Sequence, residues 1–523
     1  MAKQLVTASL VAPAFLGLNT QESSVANNPS FALEANNCLI DQFGRLGARQ
    51  GWFYRTSGSD GINLLGIHPF LDLTGSNTHI SWNATGFKKG FSTLTTLTPT
   101  TTDTLLAGNW EGVTLNDRAY FFQEGYKPLY YTNESTADEF KSIDQHQHYT
   151  GIVPNASIVM SAYGRLWAAN TSTNKTTVYF SDLLEGTKWG TGSAGSINIS
   201  AVLPRGSDVI TGLGAHNGML IVFCKNNTII YEDTDSFQSS FNVSTIRLVE
   251  VLEGVGCRGK GSIQNTGEDM VFLSATGLRS LSRTIQEKSA KLNDMSSNVR
   301  DTFVETVGRE NNLSLIKACY FPEEAFYIIH LPEAEQIYVF DMRRKLEDGS
   351  HRVTTWNNLN HANFVYDKTD KKMYLAQTNG IAQYGQYTDN GSPYTLSYFT
   401  NHFDFDLPNI NKMIKRIAIT AIGSTAQAVN IKIGYDYSTL YYSFPFTIKE
   451  VPVSEYGIDE YGANAAVIAE YVGGIALDRI DSSVSGTGGI VQVGVEATID
   501  GGALSVQKLD VYGKQGRIVE MSN

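Results

Sequence analysis

Cysteine is scarce in this sequence. Cys38, Cys224, Cys257 and Cys319 are widely spaced in 523 residues, and no two form a CxxC pair. A chain this long and this poor in cysteine is not built on a disulfide framework. Cys224 lies in an apolar run and reads as a small buried hydrophobe. Positive charge is also short: 40 Lys and Arg stand against 52 Asp and Glu, a formal net charge of −12. That balance argues against a protein that grips nucleic acid through a basic groove. No apolar run reaches the roughly 18 residues that span a membrane. Lys3 precedes a mostly apolar stretch, Leu5 to Leu18, but Gln4, Thr7, Ser9 and Pro13 interrupt it. An ordered N-terminal arm is expected there rather than a signal peptide.

Catalytic signatures are missing too. There is no HExxH and no G-x-S-x-G. GVGCRGKGS (254–262) satisfies G-x-G-x-x-G through Gly254, Gly256 and Gly259, and Lys260 almost completes a phosphate loop. Gly261 stands where a phosphate loop needs Ser or Thr for Mg²⁺, and a turn and strand follow instead of a helix. The stretch is therefore read as a glycine-rich connection. His146 and His148 could share a strand face, but no third metal ligand accompanies them. Asp233 and Asp235 do not continue into a calcium loop. Asp404 and Asp406 read as one solvated strand face. No metal, cofactor or enzymatic activity is expected.

Glycine and aromatics are abundant: 48 Gly, 26 Tyr and 25 Phe. Many of them fall in a recurring unit of apolar strand, short polar turn and second apolar strand. The unit covers 79–91, 118–133, 165–183, 219–233, 269–283, 325–342 and 372–385. A lone hairpin cannot bury both of its faces. Met219 to Cys224 and Phe326 to Ile329 are apolar on both, so each must be covered on two sides. Radially stacked blades do this. The residues between hairpins hold further strands, VITGLG (209–214) among them. The fold class is all-β: a β-propeller of six to eight blades over 55–386, an N-terminal arm over 1–54, and a C-terminal antiparallel β-domain over 387–523. A run of β-sandwiches is the alternative. Leu292, Met295, Val299, Phe303 and Val307 predict a helix between the fifth and sixth hairpins, on the propeller flank or at an oligomer contact.

VYFSDLLEGTKW (178–189) is similar to the Asp-box of sialidase-like propellers, where Ser, Asp, Gly and Trp stabilise a hairpin turn. A sialidase site would also need an arginine cluster with Tyr and carboxylates at the propeller centre, and the arginines are scattered in sequence. In the C-terminal domain, Val429, Ile431 and Ile433 alternate cleanly, whereas Leu504, Val506 and Leu509 do so only in part.

Several stretches, in order, resemble the nozzle or tail-hub proteins of short-tailed bacteriophages. FLGLNTQESSVANNPSFALEANNCLIDQFGRLGARQGW (15–52) is similar to that family's opening, with Gly44, Leu46, Arg49 and Gly51 in a G-x-L-x-x-R-x-G stretch. Family members usually carry proline before the last glycine, and Gln50 stands here. Residues 161–186, 209–234, 254–283 and 326–344 look like family blades, and 403–419 like the exit from the propeller. The resemblance implies a virion structural protein, made in the host cytoplasm. It implies a homo-oligomer, a hexameric ring on a head–tail adaptor protein, with distal tail fibre or needle proteins below. Double-stranded DNA would pass through without specific binding. A glycan-binding or glycan-cleaving propeller, secreted or fibre-associated, is the alternative.

The segment 454–474 carries a near-repeat, EYGIDEYG, and three tyrosines, Tyr456, Tyr461 and Tyr471. Tyrosine offers large contact area at low entropic cost. The loop reads as a partner contact or as a solvated insertion. Replacing 455–472 with a short Gly/Ser linker is expected to preserve the melting temperature and weaken attachment of a neighbouring subunit or distal tail part. A fall of many degrees in melting temperature would make the segment core.

Overall fold

All seven hairpins are present, each as a paired strand couple in a different sheet. The computed structural model describes residues 5–518 apart from 13, 24–27, 58–61, 104–107, 134–137, 205, 234–242, 288–294, 360, 408, 424–426 and 449–477. Six of the seven sheets contribute four-stranded blades to the propeller and one has three strands. The blades occupy 64–97, 111–142, 156–198, 210–253, 264–280, 317–356 and 363–384. Neighbouring first strands touch around the ring, from Leu64–Leu71 to Glu111–Leu115 and onward, and Asn363–Asp367 returns to Leu64–Leu71. VITGLG falls in the first strand of the fourth blade, Ile210–His216. Among the described residues, no helix is long and apolar enough to cross a membrane.

The two-faced strands behave as their composition dictates. In Met219–Cys224, Leu220, Val222 and Cys224 pack with Trp167 and Val178 of the third blade. Ile221 and Phe223 point the other way, onto Met270 and Phe272 of the fifth. Each fully buried side chain of this size contributes about 1.5–3 kcal/mol, so the sandwiched strand anchors two blades at once.

The fifth blade lacks a fourth strand. Its outer strand, Gly277–Ser280, is covered by Met295, Val299, Phe303 and Val307, which join Leu278 in one apolar cluster. Ser296 Oγ accepts from Leu278 N at 3.0 Å. The helix expected from Leu292 begins at Arg300 and ends at Gly308, after a short turn over Ser297–Val299. The polar residues before it explain the late start. Ser296 bonds the strand edge and Asn298 Nδ2 donates to Ser350 Oγ at 2.9 Å, which holds that stretch out of helix.

Division into arm, propeller and C-terminal domain does not follow the hydrogen bonding. Trp52–Tyr54 pairs with Gly380–Tyr384 and supplies the last strand of the seventh blade, so the chain's beginning closes the ring. Leu5–Val11 and Leu46–Ala48 both pair with Leu504–Ile518. Ala32–Asn36 pairs with Tyr394–Thr400 and touches the outer strand of the sixth blade through Asn36 and Thr355. The ends of the chain thus build a β-sandwich together. One sheet centres on Ile410–Gly423 and Leu504–Ile518, the other on Tyr394–Thr400, Val491–Ile499 and Gln427–Tyr435. Their facing residues share one cluster with Tyr327, Ile329 and Phe340 of the sixth blade. Non-local pairing of this kind leaves no periodic trace in sequence.

The broken alternation has a local cause. Thr420 lies opposite Lys508 and Ala421 opposite Val506, so Gln507 is an extra residue in its strand. This β-bulge reverses the side-chain parity and returns Leu509 and Val511 to the core beside Leu504 and Val506.

The G-x-L-x-x-R-x-G stretch forms the joint between propeller and sandwich. Gly44 has φ of +73° in the turn between Cys38–Ile40 and Leu46–Ala48, and Leu46 is buried. A side chain on Gly51 would lie 2.0 Å from Thr388 O. Arg49 is fully buried. Its Nη1 and Nη2 meet Asp389 at 2.9 and 2.8 Å, and Nε donates to Asn37 Oδ1 at 2.9 Å. The carbonyls of Gln50 and Asn357 take the last two N–H groups at 2.9 and 3.0 Å. Its guanidinium lies over the Tyr394 ring, 4.1 Å from the centroid. Gln50, where the family usually has proline, donates its backbone N–H to Tyr384 Oη at 3.3 Å.

Removing one partner of a buried pair strands the other charge, at a cost of about 3–5 kcal/mol. Arg49→Met and Asp389→Asn are each expected to lower unfolding free energy by about that much in urea titrations. A loss below about 1 kcal/mol would show that the apolar cluster holds the joint unaided.

Candidate functional site

Propellers present ligand sites where the first strands of the blades converge, so the axis is the place to look for chemistry. Segments of four blades meet there. Lys260, from the connection into the fifth blade, pairs with Glu111 of the second blade at 2.7 Å and donates to Ser157 O of the third. Asn109 Nδ2 donates to Ser314 O at 3.1 Å, and Lys317 Nζ of the sixth blade donates to Asn109 Oδ1 at 3.4 Å. These contacts bridge the axis.

The glycine-rich connection is shaped for packing. Added side chains would lie 2.3 Å from Lys225 O at Gly256, 2.8 Å from Leu313 O at Gly259 and 2.2 Å from Ile316 O at Gly261. Lys260–Ser262 makes one 3-10 turn, so no helix dipole faces a phosphate. Thr211 Oγ1 donates to Cys257 O at 2.7 Å, and Tyr327 Oη to Ser262 O at 2.7 Å. The backbone of the loop is already engaged by neighbouring blades.

The Asp-box-like stretch forms the stabilised turn its residues suggest. Asp182 Oδ1 accepts from Leu183 N, Ser193 N and Ser193 Oγ at 2.9, 3.0 and 2.8 Å. Trp189 is buried, and its Nε1 donates to Gly186 O at 2.8 Å. Trp189 packs with Tyr120 and Phe122 of the second blade, so the turn ties two blades together.

Other candidates separate. His148 N donates to His146 Nδ1 at 3.1 Å, and the His146 ring packs on Tyr130. Among the described residues, no three His, Cys, Asp or Glu side chains gather at metal distance. Asp404 and Asp406 do not share a strand face: Asp406 has φ of +58° and donates its N–H to Asp404 Oδ1 at 2.9 Å in a turn. Asp235 and the tyrosines Tyr456, Tyr461 and Tyr471 lie outside the described residues, whereas Asp233 ends a strand of the fourth blade. All four cysteines are buried and unpaired. Burial pushes the thiols of Cys224 and Cys319 up to about 12 and Cys257 to about 11, so none is a thiolate nucleophile at neutral pH.

Two features escaped the sequence reading. The turn after Gln427–Tyr435 exposes Tyr437, Leu440 and Tyr442, and the run YDYSTLYY was a visible signal. Between the second and third blades, Arg118 and Glu185 approach to 3.8 Å. These residues are distant in sequence, and no spacing announces them.

No family model and no curated protein matches the chain. Solved structures share the propeller class. YCF48 bound to a D1 peptide is 10% identical, with 68% of this chain and 96% of that one covered and a TM-score of 0.37. The C-terminal WD40 domain of Sif2 is 10% identical, with 65% and 88% covered and a TM-score of 0.33. An exo-β-1,3-galactanase from Phanerochaete chrysosporium with galactose is 10% identical, with 79% and 98% covered and a TM-score of 0.23. Likeness at this level carries no argument about activity or partner.

Buried histidines set an acid limit. Burial lowers His68, His330 and His361 to about 4. Unfolded histidine titrates near 6.5. Between those values the unfolded chain binds protons that the folded chain refuses, so stability falls as pH drops. Glu324, raised by burial to about 7, and Asp341, also raised by burial, work the other way, but the three imidazoles together with His146, likewise lowered by burial, leave the slope positive. The urea midpoint is expected to decline from pH 6.5 towards 4.5, and less steeply in His361→Asn. A flat profile would contradict this.

Proposed function

We propose that the chain is a structural subunit of a bacteriophage tail, the hub or nozzle between an adaptor ring and distal fibre or needle proteins. The observation that carries this reading is the fate of the family-like motif. Gly44, Leu46, Arg49 and Gly51 all serve one buried joint between propeller and sandwich. A motif serving catalysis would be expected to line an open cleft. A part that transmits force between head and tail needs a rigid joint of this sort.

In this reading six copies close a ring through one heterologous interface repeated about the axis. Contacts bridge each propeller's own axis, so the DNA conduit runs between copies. Each copy adds a formal charge of −12, and a wall of that sign lets phosphate slide without gripping it. The virion is then the protein's destination.

A second reading, a glycan-binding propeller, is favoured by the Asp-box-like turn around Asp182 and Trp189. Its axis chemistry differs from a sialidase centre: lysines, one glutamate and an asparagine meet there. Light scattering of the purified chain, alone and with its adaptor ring, separates the readings. The hub reading expects a monomer or loose oligomer that becomes a six-fold ring on the adaptor. A stable dimer that binds no head–tail component, and that binds oligosaccharides on an array, would replace it with the glycan reading.

A further inference from the structure

Positive charge exceeds negative charge where the blades converge. Lys260 and Lys317 approach each other there, and Glu111 pairs with Lys260. An ammonium carries three donors. Lys260 fills two of them, on Glu111 and Ser157 O. Lys317 has one hydrogen bond among the described residues, the 3.4 Å contact to Asn109 Oδ1. Its stem is held in place by Gly261, where an added side chain would lie 3.2 Å from Lys317 Cδ. The position that breaks the phosphate-loop pattern is thus the position that makes room for this lysine.

A part-buried ammonium with unfilled donors is costly unless something accepts from it. A neutral acceptor would leave the extra charge uncompensated, whereas an oxyanion both accepts and neutralises. The site is open enough for a small group, since the Glu111 side chain keeps 31% of its exposure and Lys260 keeps 12%. Burial, and then the charge of Lys260, lowers Lys317 to about 8, so it remains mostly cationic at pH 7.

We propose that Lys317, with Lys260 and Asn109, forms an oxyanion site on the propeller axis that takes a phosphate ion or a carboxylate, free or on an acidic peptide. The site is independent of the hub reading, because it rests on the axis residues alone. In a hub it would accept an acidic side chain of an abutting component.

The test is thermal unfolding of the full chain at pH 7 and fixed ionic strength, with phosphate replacing chloride. A ligand that binds the folded state alone raises the melting temperature. A rise of about 2 °C by 50 mM phosphate is expected. Lys317→Met should abolish it and Lys317→Arg should keep it. If Lys317→Met does not fold, Asn109→Asp serves instead: it sets a carboxylate beside Lys317, fills the site from within and should erase the response. Hexaglutamate peptide separates the sources. A rise at tenfold lower concentration than phosphate assigns the site to an acidic partner segment, and a weaker one to free ions. No rise over chloride in the wild type, or an undiminished rise in Lys317→Met or Asn109→Asp, would overturn the proposal.

Discussion

Arg49 and Asp389 face each other as a buried ion pair, and most of the long-range architecture depends on that pairing. The guanidinium is planar and carries five N–H groups in a fixed fork. Asp389, Asn37, Gln50 and Asn357 take all five. Those partners come from the N-terminal segment, the end of the sixth blade and the exit from the seventh. A buried ion pair gives little net stability over apolar packing, but it penalises any arrangement that leaves one member unpaired. In this chain it specifies which strands from the two ends come together, and where.

That specification matters because the propeller is not closed by its own consecutive blades. Trp52–Tyr54 completes the seventh sheet, so the first tenth of the chain must find residues more than three hundred positions later. Loop-closure entropy makes such contacts late and slow to form. The sandwich raises the reward for making them, since Leu5–Val11, Leu46–Ala48 and Ala32–Asn36 are fixed by the same event. The apolar cluster shared by the sixth blade and both sandwich sheets then couples the two units mechanically.

Local features were legible in the sequence, and long-range ones were not. Hairpins in which Leu220 and Ile221 must both be buried demand a neighbour on each side, and that requirement leads to stacked blades. Asp182 and Trp189 announced their turn for the same reason, because each residue type acts on its own backbone. The destination of the first 54 residues had no such signal, since a strand's partner is not written in its period. The helix boundary slipped to Arg300 because Ser296 bonds a strand edge and Asn298 bonds the turn at Ser350 instead of extending the helix. Asp404 and Asp406 have strand-like spacing, but a positive φ at Phe405 and Asp406 turns the chain there. At the axis, Lys260 was visible as a motif residue, whereas Glu111, Asn109 and Lys317 were brought to it by the fold alone. The tyrosines of 454–474 lie outside the described residues.

In the proposed hub role the chain would act as one rigid piece, with the joint at Arg49 passing load from propeller to sandwich. The claim that the two units are one cooperative body is most directly tested by hydrogen exchange in subdenaturing urea. The account predicts that amides of Trp52–Tyr54, Gly380–Tyr384 and Leu504–Ile518 become exposed together, in one opening of the same free energy and urea dependence. Exposure of the closing strand and seventh blade at much lower urea, with Leu504–Ile518 still protected, would contradict it.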